Sequence, residues 1–359
     1  MIKSIEELVE TVESAAVVPA NVWQALLNVT DSHIVAYIAD RARMVAQAHF
    51  GLGVYVRALI EISSCCRNNC LYCGLRSSNR LTQRYRLGKE HIIECCRAAA
   101  ELGFNTFVLQ GGEDPLQSDE WLADVVATIK SEFPEKAVTL SVGERSAIGY
   151  AMLRAAGADR YLLRHETADS RHYSQLHPKS MSIYNRQNCL AELKKLGFQV
   201  GSGMMVGSPG QTTEHLVKDL MFLDELKPQM IGLGPFIPAA GTPFANEHPG
   251  SVDRTLLIIS LLRLRFPAAL IPATTAIATL CANGTERAIL AGANVVMPNM
   301  TPLEYREKYT IYNNKKGSGS ESAQQLELLA RKLDSIGYFI DFSRGDCWEV
   351  KCENGKLGS

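Results

Sequence analysis

Apolar residues recur along the chain with two alternating periods. Cys189, Leu193 and Leu196 fall at i, i+4 and i+7, as do Leu216, Leu220 and Leu223, the spacing of one helix face. Short β-rich runs follow such stretches across a repeated junction. Leu102-Gly103-Phe104 precedes Thr106 to Leu109, Ala156-Gly157-Ala158 precedes Tyr161 to Leu163, Leu196-Gly197-Phe198 precedes Gln199-Val200, and Ala291-Gly292-Ala293 precedes Asn294 to Met297. A glycine just past a helix supplies the left-handed cap that ends it and turns the chain into a strand. Strands alternating with helices imply parallel strands and right-handed crossovers. Strands are predicted over 54–62, 106–110, 138–142, 160–164, 199–205, 230–234, 270–273 and 294–297. Eight such units predict an α/β fold of the closed (βα)8 TIM-barrel type, with an open doubly wound sheet as the rival. The predicted organisation is a helical segment over 1–50, the barrel over 51–312 and a short C-terminal extension over 313–359. The extension reads as a polar link (313–322), a helix from about Ala323 to Leu333 and a β-like tail.

The strand ends carry most of the polar signal. They read Gln110-Gly111-Gly112-Glu113, Ser141-Val142-Gly143-Glu144, Arg164-His165-Glu166, Gly201-Ser202-Gly203-Met204, Pro272-Ala273-Thr274-Thr275 and Met297-Pro298-Asn299. In a barrel these C-terminal ends share one face, where active sites lie. Composition narrows the partners. With 37 basic and 38 acidic residues the net charge is −1, which gives no electrostatic case for nucleic acid or an anionic membrane. The best apolar stretch, 256–262, is closed by Arg263 and is too short for a membrane span. The acidic, amphipathic start from Met1 to Leu8 lacks the layout of a signal peptide, so a cytoplasmic protein is expected.

Ten cysteines in such a chain point to thiols, metal ligation or catalysis rather than a disulfide framework. Four of them, Cys65, Cys66, Cys70 and Cys73, crowd into nine residues. Cys66-x3-Cys70-x2-Cys73, just after the first strand, puts three thiolates on one loop. They can hold three irons of a [4Fe–4S] cluster and leave the fourth open, and an open metal position is where a small molecule binds. The rival is a structural zinc site, which wants a fourth Cys or His in CxxC-like pairing. No second pair follows, since Cys95 and Cys96 sit in a helical pattern.

The same three cysteines, with the aromatic Tyr72 before the last, form the signature of radical S-adenosylmethionine (SAM) enzymes. Within that family the chain resembles the [FeFe]-hydrogenase maturases of HydE type. The likeness runs through CRNNCLYCGLR (66–76), Tyr85-Arg86-Leu87, VLQGGEDP (108–115), GADRYLLRHET (157–167), VGSPGQT (206–212), GLGPFIP (232–238), PATTA (272–276) and VMPNMTP (296–302), in order and at matching spacing. It implies that SAM chelates the open iron through its amino and carboxylate groups. One electron from the reduced cluster then breaks the sulfur–C5′ bond to give methionine and a 5′-deoxyadenosyl radical, which a dry barrel shields. In the HydE group the radical acts on an organometallic iron–cysteine complex bearing CO and cyanide, made by a sister radical SAM maturase, on the way to the di-iron subcluster of [FeFe]-hydrogenase. The implied cofactors are a [4Fe–4S] cluster and SAM. The implied partners are a small-molecule or organometallic substrate, a flavodoxin- or ferredoxin-type electron donor and, transiently, the other hydrogenase maturation proteins, with the chain itself a monomer.

Residue by residue, the resemblance assigns the cluster to Cys66, Cys70 and Cys73, and the adenine to Tyr72. Gln110, Gly111, Gly112 and Glu113 fall to the methionine amino group, Glu166 to the ribose hydroxyls and Arg186 to the SAM carboxylate, which suits a guanidinium fork. Thr139 and Ser141, leaving the third strand on one side, line the SAM site. Arg164, Thr274, Thr275, Met297, Tyr305 and Tyr309 fall to the substrate cavity. Without the resemblance, Arg186 reads as a solvated first-turn arginine.

Arg57 and Glu61 are four apart on one strand and so share a face. Charges inside a barrel must pair or bind an ion. The pattern predicts a mutual ion pair, with Arg57 as a wall for an anionic cyanide complex as the second reading. Cys95, Cys96 and Cys189 suit helix faces as small apolar residues. Cys65 has the wrong spacing to replace Cys66, and Cys281, Cys347 and Cys352 receive no ligand role. Where some HydE-type chains carry three cysteines for an accessory cluster, residues 313–325 contain none, so no second cluster is expected there. The usual Gln-Ser-Gly-Glu is Gln-Gly-Gly-Glu here. Biotin synthase adds a [2Fe–2S] cluster on cysteines at inner strand ends; 109–110, 139–141 and 200–201 carry none, which argues against sulfur insertion. A HydE-like paralogue or a methylornithine-synthase-like mutase, differing in cavity side chains, is the alternative enzyme. A non-catalytic iron–sulfur scaffold is the alternative of another class.

Overall fold

The computed structural model describes residues 4–315 and 322–347. Three helices come first: α1 (Ile5–Ser14), α2 (Ala20–Leu27) and α3 (Ser32–Phe50). A reciprocal Ser4–Glu7 capping box starts α1, and the Asp31 carboxylate accepts two amide bonds at the start of α3. The alternation follows as β1 (Gly53–Val56), β2 (Ala58–Ser63), α4 (Lys89–Glu101), β3 (Thr106–Gly111), α5 (Asp119–Glu132), β4 (Ala137–Ser141), α6 (Ala147–Ala155), β5 (Arg160–Leu162), α7 (Ser170–Leu176), α8 (Ile183–Lys195), β6 (Gln199–Ser202), β7 (Met205–Val206), α9 (Thr213–Leu226), β8 (Met230–Ile231), β9 (Gly234–Pro235), α10 (Val252–Arg265), α11 (Thr275–Leu280), α12 (Gly284–Leu290) and β10 (Val295–Val296). The last elements among the described residues are α13 (Leu303–Arg306), α14 (Ser322–Asp334) and β11 (Phe339–Asp341). The glycines of all four repeated junctions, Gly103, Gly157, Gly197 and Gly292, have φ between 76° and 107°, the left-handed turn that the pattern requires.

β2, β3, β4, β5, β6 and β8 are parallel neighbours in that order. Shorter links close the ring. Met230 in β8 bridges Leu270, Pro272 bridges Val295 in β10, and β10 pairs with β1, which runs on into β2. The eight-stranded barrel is closed, and the open-sheet rival is overturned. The predicted strands at 54–62, 199–205 and 230–234 are each broken in two. The one at 270–273 contributes bridges only, because Pro272 has no amide to add to a ladder.

Outside the ring, α10 is buried from Thr255 to Leu264 and packs on α1, α2, α3 and α12. Its apolar run is therefore interior helix. Among the described residues no helix is long and apolar enough to cross a membrane.

Register sorts the inner side chains into layers. Leu59, Val108 and Thr139 are partners in the middle, and Glu61, Gln110 and Ser141 are partners at the mouth. At the floor, Arg57 and Arg160 reach across the ring to the same carbonyl, Gly345 O, at 3.3 and 3.2 Å. That carbonyl belongs to the C-terminal extension. β11 pairs in parallel with β1, Gly53 opposite Phe339, and the chain then crosses beneath the barrel. Thr106 Oγ1 donates to Arg344 O at 2.7 Å, and Asp346 pairs with Arg160 at 2.7 Å. Cys347 joins Tyr55, Met230, Leu270 and Val295 in a small apolar cluster; Cys352 lies outside the described residues.

The predicted Arg57–Glu61 pair is not formed. Four residues of strand separate the two by about 13 Å along the barrel, so Arg57 belongs to the floor and Glu61 to the mouth. There Glu61, fully buried, pairs with Lys315 and accepts from Asn299 Nδ2 at 2.9 Å.

Candidate active site

The loop after β2 carries the clustered cysteines, and backbone bonds pin it on three sides. Arg67 N donates to Glu113 O at 2.9 Å, Leu71 N to Leu176 O at 2.8 Å and Gly74 N to Ile311 O at 2.9 Å. Cys66, Cys70 and Cys73 are half-buried free thiols, while Cys65 is buried with its sulfur 3.7 Å from Tyr85 O. Burial pushes the Cys70 thiol well up, the Cys73 and Cys66 thiolates push it further, and Arg186 pulls it back. Burial and Cys66 push Cys73 to about 12, with Arg84 acting in the opposite sense. Neighbouring thiolates raise one another's pKa in this way unless a cation is shared among them.

The end of β3 meets this loop backbone to backbone. A Cβ on Gly112 would lie 2.2 Å from Cys65 O and 2.7 Å from Cys66 Cβ, so only glycine fits. Glu113 sits behind it, accepting from Glu144 N at 2.9 Å and from Arg67 Nε at 3.1 Å. Arg186 is buried, against the solvated reading. Its Nε donates to Glu144 Oε1 at 2.5 Å and its Nη1 to Arg164 O at 2.8 Å. Burial works against its charge, but Tyr173 and Glu144 more than restore it.

Across the mouth, Glu166 has φ 64°, a left-handed backbone unusual for a non-glycine residue and costing about 1–2 kcal/mol. Such strain gathers at functional sites. Its Oε2 is 2.9 Å from Arg164 Nη2 yet makes no aligned hydrogen bond. Arg164 Nε, Thr139 Oγ1 and Thr274 Oγ1 are likewise buried without a hydrogen-bond partner. Buried polar atoms are normally satisfied, so these orphaned atoms on the expected wall suit a polar guest. Burial pushes the Tyr72 phenol well up, and Glu166, Cys70 and Cys73 push it further.

The expected cavity residues divide. Thr275 opens α11 beside Thr274, and Tyr309 is buried with its hydroxyl 3.4 Å from Gln110 Nε2. Met297 packs on the floor cluster, and Arg57 Nη1 lies 3.4 Å from Met230 Sδ of the same cluster. Tyr305 turns away to Tyr85, ring centroids 5.1 Å apart, under the Lys308 ammonium. Cys95, Cys96 and Cys189 are buried on helices, as expected. Sequence reasoning missed His177, which holds Tyr72, and Lys315, which holds Glu61. A histidine just past the end of a short, mostly polar helix and one lysine in a polar link carry no local signal for either role.

Comparison with known proteins identifies the family. A model of the radical SAM superfamily matches residues 60–223. The chain belongs to the radical SAM superfamily and is an enzyme of that class. Within it, the chain is 45% identical to the [FeFe] hydrogenase maturase subunit HydE of Thermotoga maritima over 294 residues, covering 82% of this chain and 84% of that one. It is 29% identical to 3-methylornithine synthase of Methanosarcina acetivorans, covering 85% and 90%. Among solved structures, methylornithine synthase (PylB) superposes with a TM-score of 0.80 at 26% identity, covering 93% of this chain and 97% of that one. The maturase HydG superposes at 0.81 and 21% identity over 96% and 77%, a likeness of fold.

Membership implies a [4Fe–4S] cluster and SAM, and the residues fit both. Three half-buried thiols on one loop offer the donor set, the Gly112 backbone approaches them as closely as a Cβ-free strand end allows, and the orphaned oxygens and guanidinium nitrogen line the adjoining wall.

Proposed function

We propose that this enzyme is a HydE-type maturase, acting on an organometallic iron–cysteine substrate during assembly of the [FeFe]-hydrogenase di-iron subcluster. The observation that carries the reading is the 45% identity to HydE across 84% of that protein. When bound, the cluster and SAM supply one-electron cleavage of the sulfonium to methionine and a 5′-deoxyadenosyl radical. Cys66, Cys70 and Cys73 hold the iron. Tyr72 offers its ring to the adenine, the Gln110-Gly111-Gly112-Glu113 backbone approaches the methionine end, Glu166 accepts from the ribose hydroxyls, and Arg186 faces the carboxylate. Thr139 and Ser141 flank this site. Arg164, Thr274, Thr275, Met297 and Tyr309 wall the substrate, with Arg57 at the floor. A flavodoxin- or ferredoxin-type protein delivers the electron.

The second reading, a methylornithine-synthase-like mutase, is supported by the 29% identity and the PylB superposition. Two assays separate the readings. A reconstituted, dithionite-reduced sample should yield 5′-deoxyadenosine from SAM, and none would leave only a scaffold. Replacing authentic HydE in a hydrogenase maturation mixture should restore hydrogen evolution. An active SAM-cleaving chain that fails there, and forms methylornithine instead, establishes the mutase.

A further inference from the structure

Between Glu61 and Glu90 the chain has five arginines, one lysine and no acidic residue. Two of these arginines, Arg76 and Arg84, turn inward with no carboxylate partner among the described residues; Arg76 Nε donates to Asn69 Oδ1 at 2.7 Å, whereas Arg84 meets only backbone. Arg84 Nη1 donates to Ser64 O at 2.6 Å and Leu75 O at 2.8 Å, and Nη2 donates to Arg76 O at 2.7 Å and Asn79 O at 3.1 Å. Ser64 lies before the three cysteines; Leu75, Arg76 and Asn79 lie after them.

We infer that Arg84 is the positioning residue of the cluster loop, a clasp whose planar fork draws the two flanks of the Cys66–Cys70–Cys73 segment together. The inference rests on the reading that these cysteines hold the cluster. Its backbone is itself fixed. Ser64 N donates to Tyr85 O at 3.2 Å, Ser64 Oγ to Gln83 O at 3.1 Å, and Tyr85 N to Ser64 Oγ at 2.9 Å. Arg86 adds an antiparallel bridge to Ser63. The guanidinium is thus pre-aimed by a short ladder at the end of β2. Four carbonyls take up its Nη donors, two from each nitrogen. Charge-assisted bonds to carbonyls are stronger than neutral ones, and a planar five-donor fork binds two flanks at once where an ammonium cannot.

The test uses the full chain, loaded anaerobically with iron and sulfide. Arg84→Lys keeps the charge and loses the fork, Arg84→Gln loses both, and Arg80→Lys, an exposed arginine of the same run, is the control. Iron per chain, the rate at which a chelator strips it, the EPR line shape of the reduced cluster with and without SAM, and melting of the cluster-free chain are measured. Both Arg84 variants should lose iron about 10–100-fold more readily than wild type, the range typical of residues that orient metal ligands. Both should also show a broadened EPR signal, with the control unchanged. Wild-type iron retention and line shape in either Arg84 variant overturns the clasp. So does a lowered melting point with unaltered iron loss once loaded, since Arg84 would then serve the fold alone. If wild type takes up no cluster, or Cys70→Ala keeps as much iron, the reading of the cysteines fails instead.

Discussion

The Tyr72 hydroxyl lies 3.2 Å from His177 Nε2, and the His177 ring stacks on Tyr173 with centroids 3.8 Å apart. His177 Nδ1 is 3.0 Å from Tyr173 O, a carbonyl that can only accept, so the proton sits on Nδ1 and Nε2 accepts from the phenol. The Tyr72 hydroxyl is therefore spent within the protein, and the ring face is what remains for a ligand beside the cysteines.

Burial holds His177 neutral, with its pKa lowered to about 3 against 6.5 unfolded. The unfolded chain takes up a proton below 6.5 that the folded chain refuses until about 3, so stability is lost as the pH falls through that window. Between pH 7 and 5.5 this group alone should lower the unfolding free energy by about 1 kcal/mol. Denaturant titrations of the cluster-free chain should show that extra loss in wild type and not in His177→Gln.

The two glycines after Gln110 should behave differently. Gly112→Ala drives a methyl group into the Cys65 backbone and should destabilise by about 1–3 kcal/mol while lowering bound iron. A Cβ on Gly111 would meet the Ile62 side chain at 3.3 Å, a tight contact eased by a shift of a few tenths of an ångström, and Ser63 O at an ordinary 3.5 Å. Gly111→Ser should therefore stay within about 1 kcal/mol of wild type and keep its iron. Thermal melting and iron analysis of the two variants check this.

Lys315 neutralises a carboxylate that burial would otherwise drive towards protonation. Lys315→Met should cost about 3–5 kcal/mol at neutral pH, the usual penalty for leaving a buried charge alone. The deficit should shrink as the pH falls, because Glu61 can then take up a proton. Glu61→Gln combined with Lys315→Met should recover part of the loss. Unfolding curves for the three chains at two pH values decide it.

At the floor, Asp346 balances Arg160, which is fully buried, and keeps about a fifth of its own side chain in water. Asp346→Asn should destabilise by about 2–3 kcal/mol, less than for a wholly buried pair because of that exposure. Chemical denaturation would show it. No loss would mean that the Gly345 and Arg344 carbonyls suffice for Arg160.

The barrel was legible because its signals are local and repeated: periodic helix faces, glycine junctions with positive φ, and polar residues where strands stop. The cysteine loop was legible because its ligands lie within eight residues. What escaped depends on reach. Arg57 and Glu61 share a face by period but not a height in the barrel. Tyr72 finds His177 from 105 residues away, and Glu61 finds Lys315 from 254 away. The three residues of β11 are too few to announce a register with β1.

The crossing of the barrel's underside by residues 342–347 has a consequence for traffic. Among the described residues that end is stoppered, so the opening left to a guest of the proposed site is the opposite one, where the cysteine loop stands. A molecule seated at that doorway corks whatever lies deeper, so the deepest visitor has to arrive first and depart last.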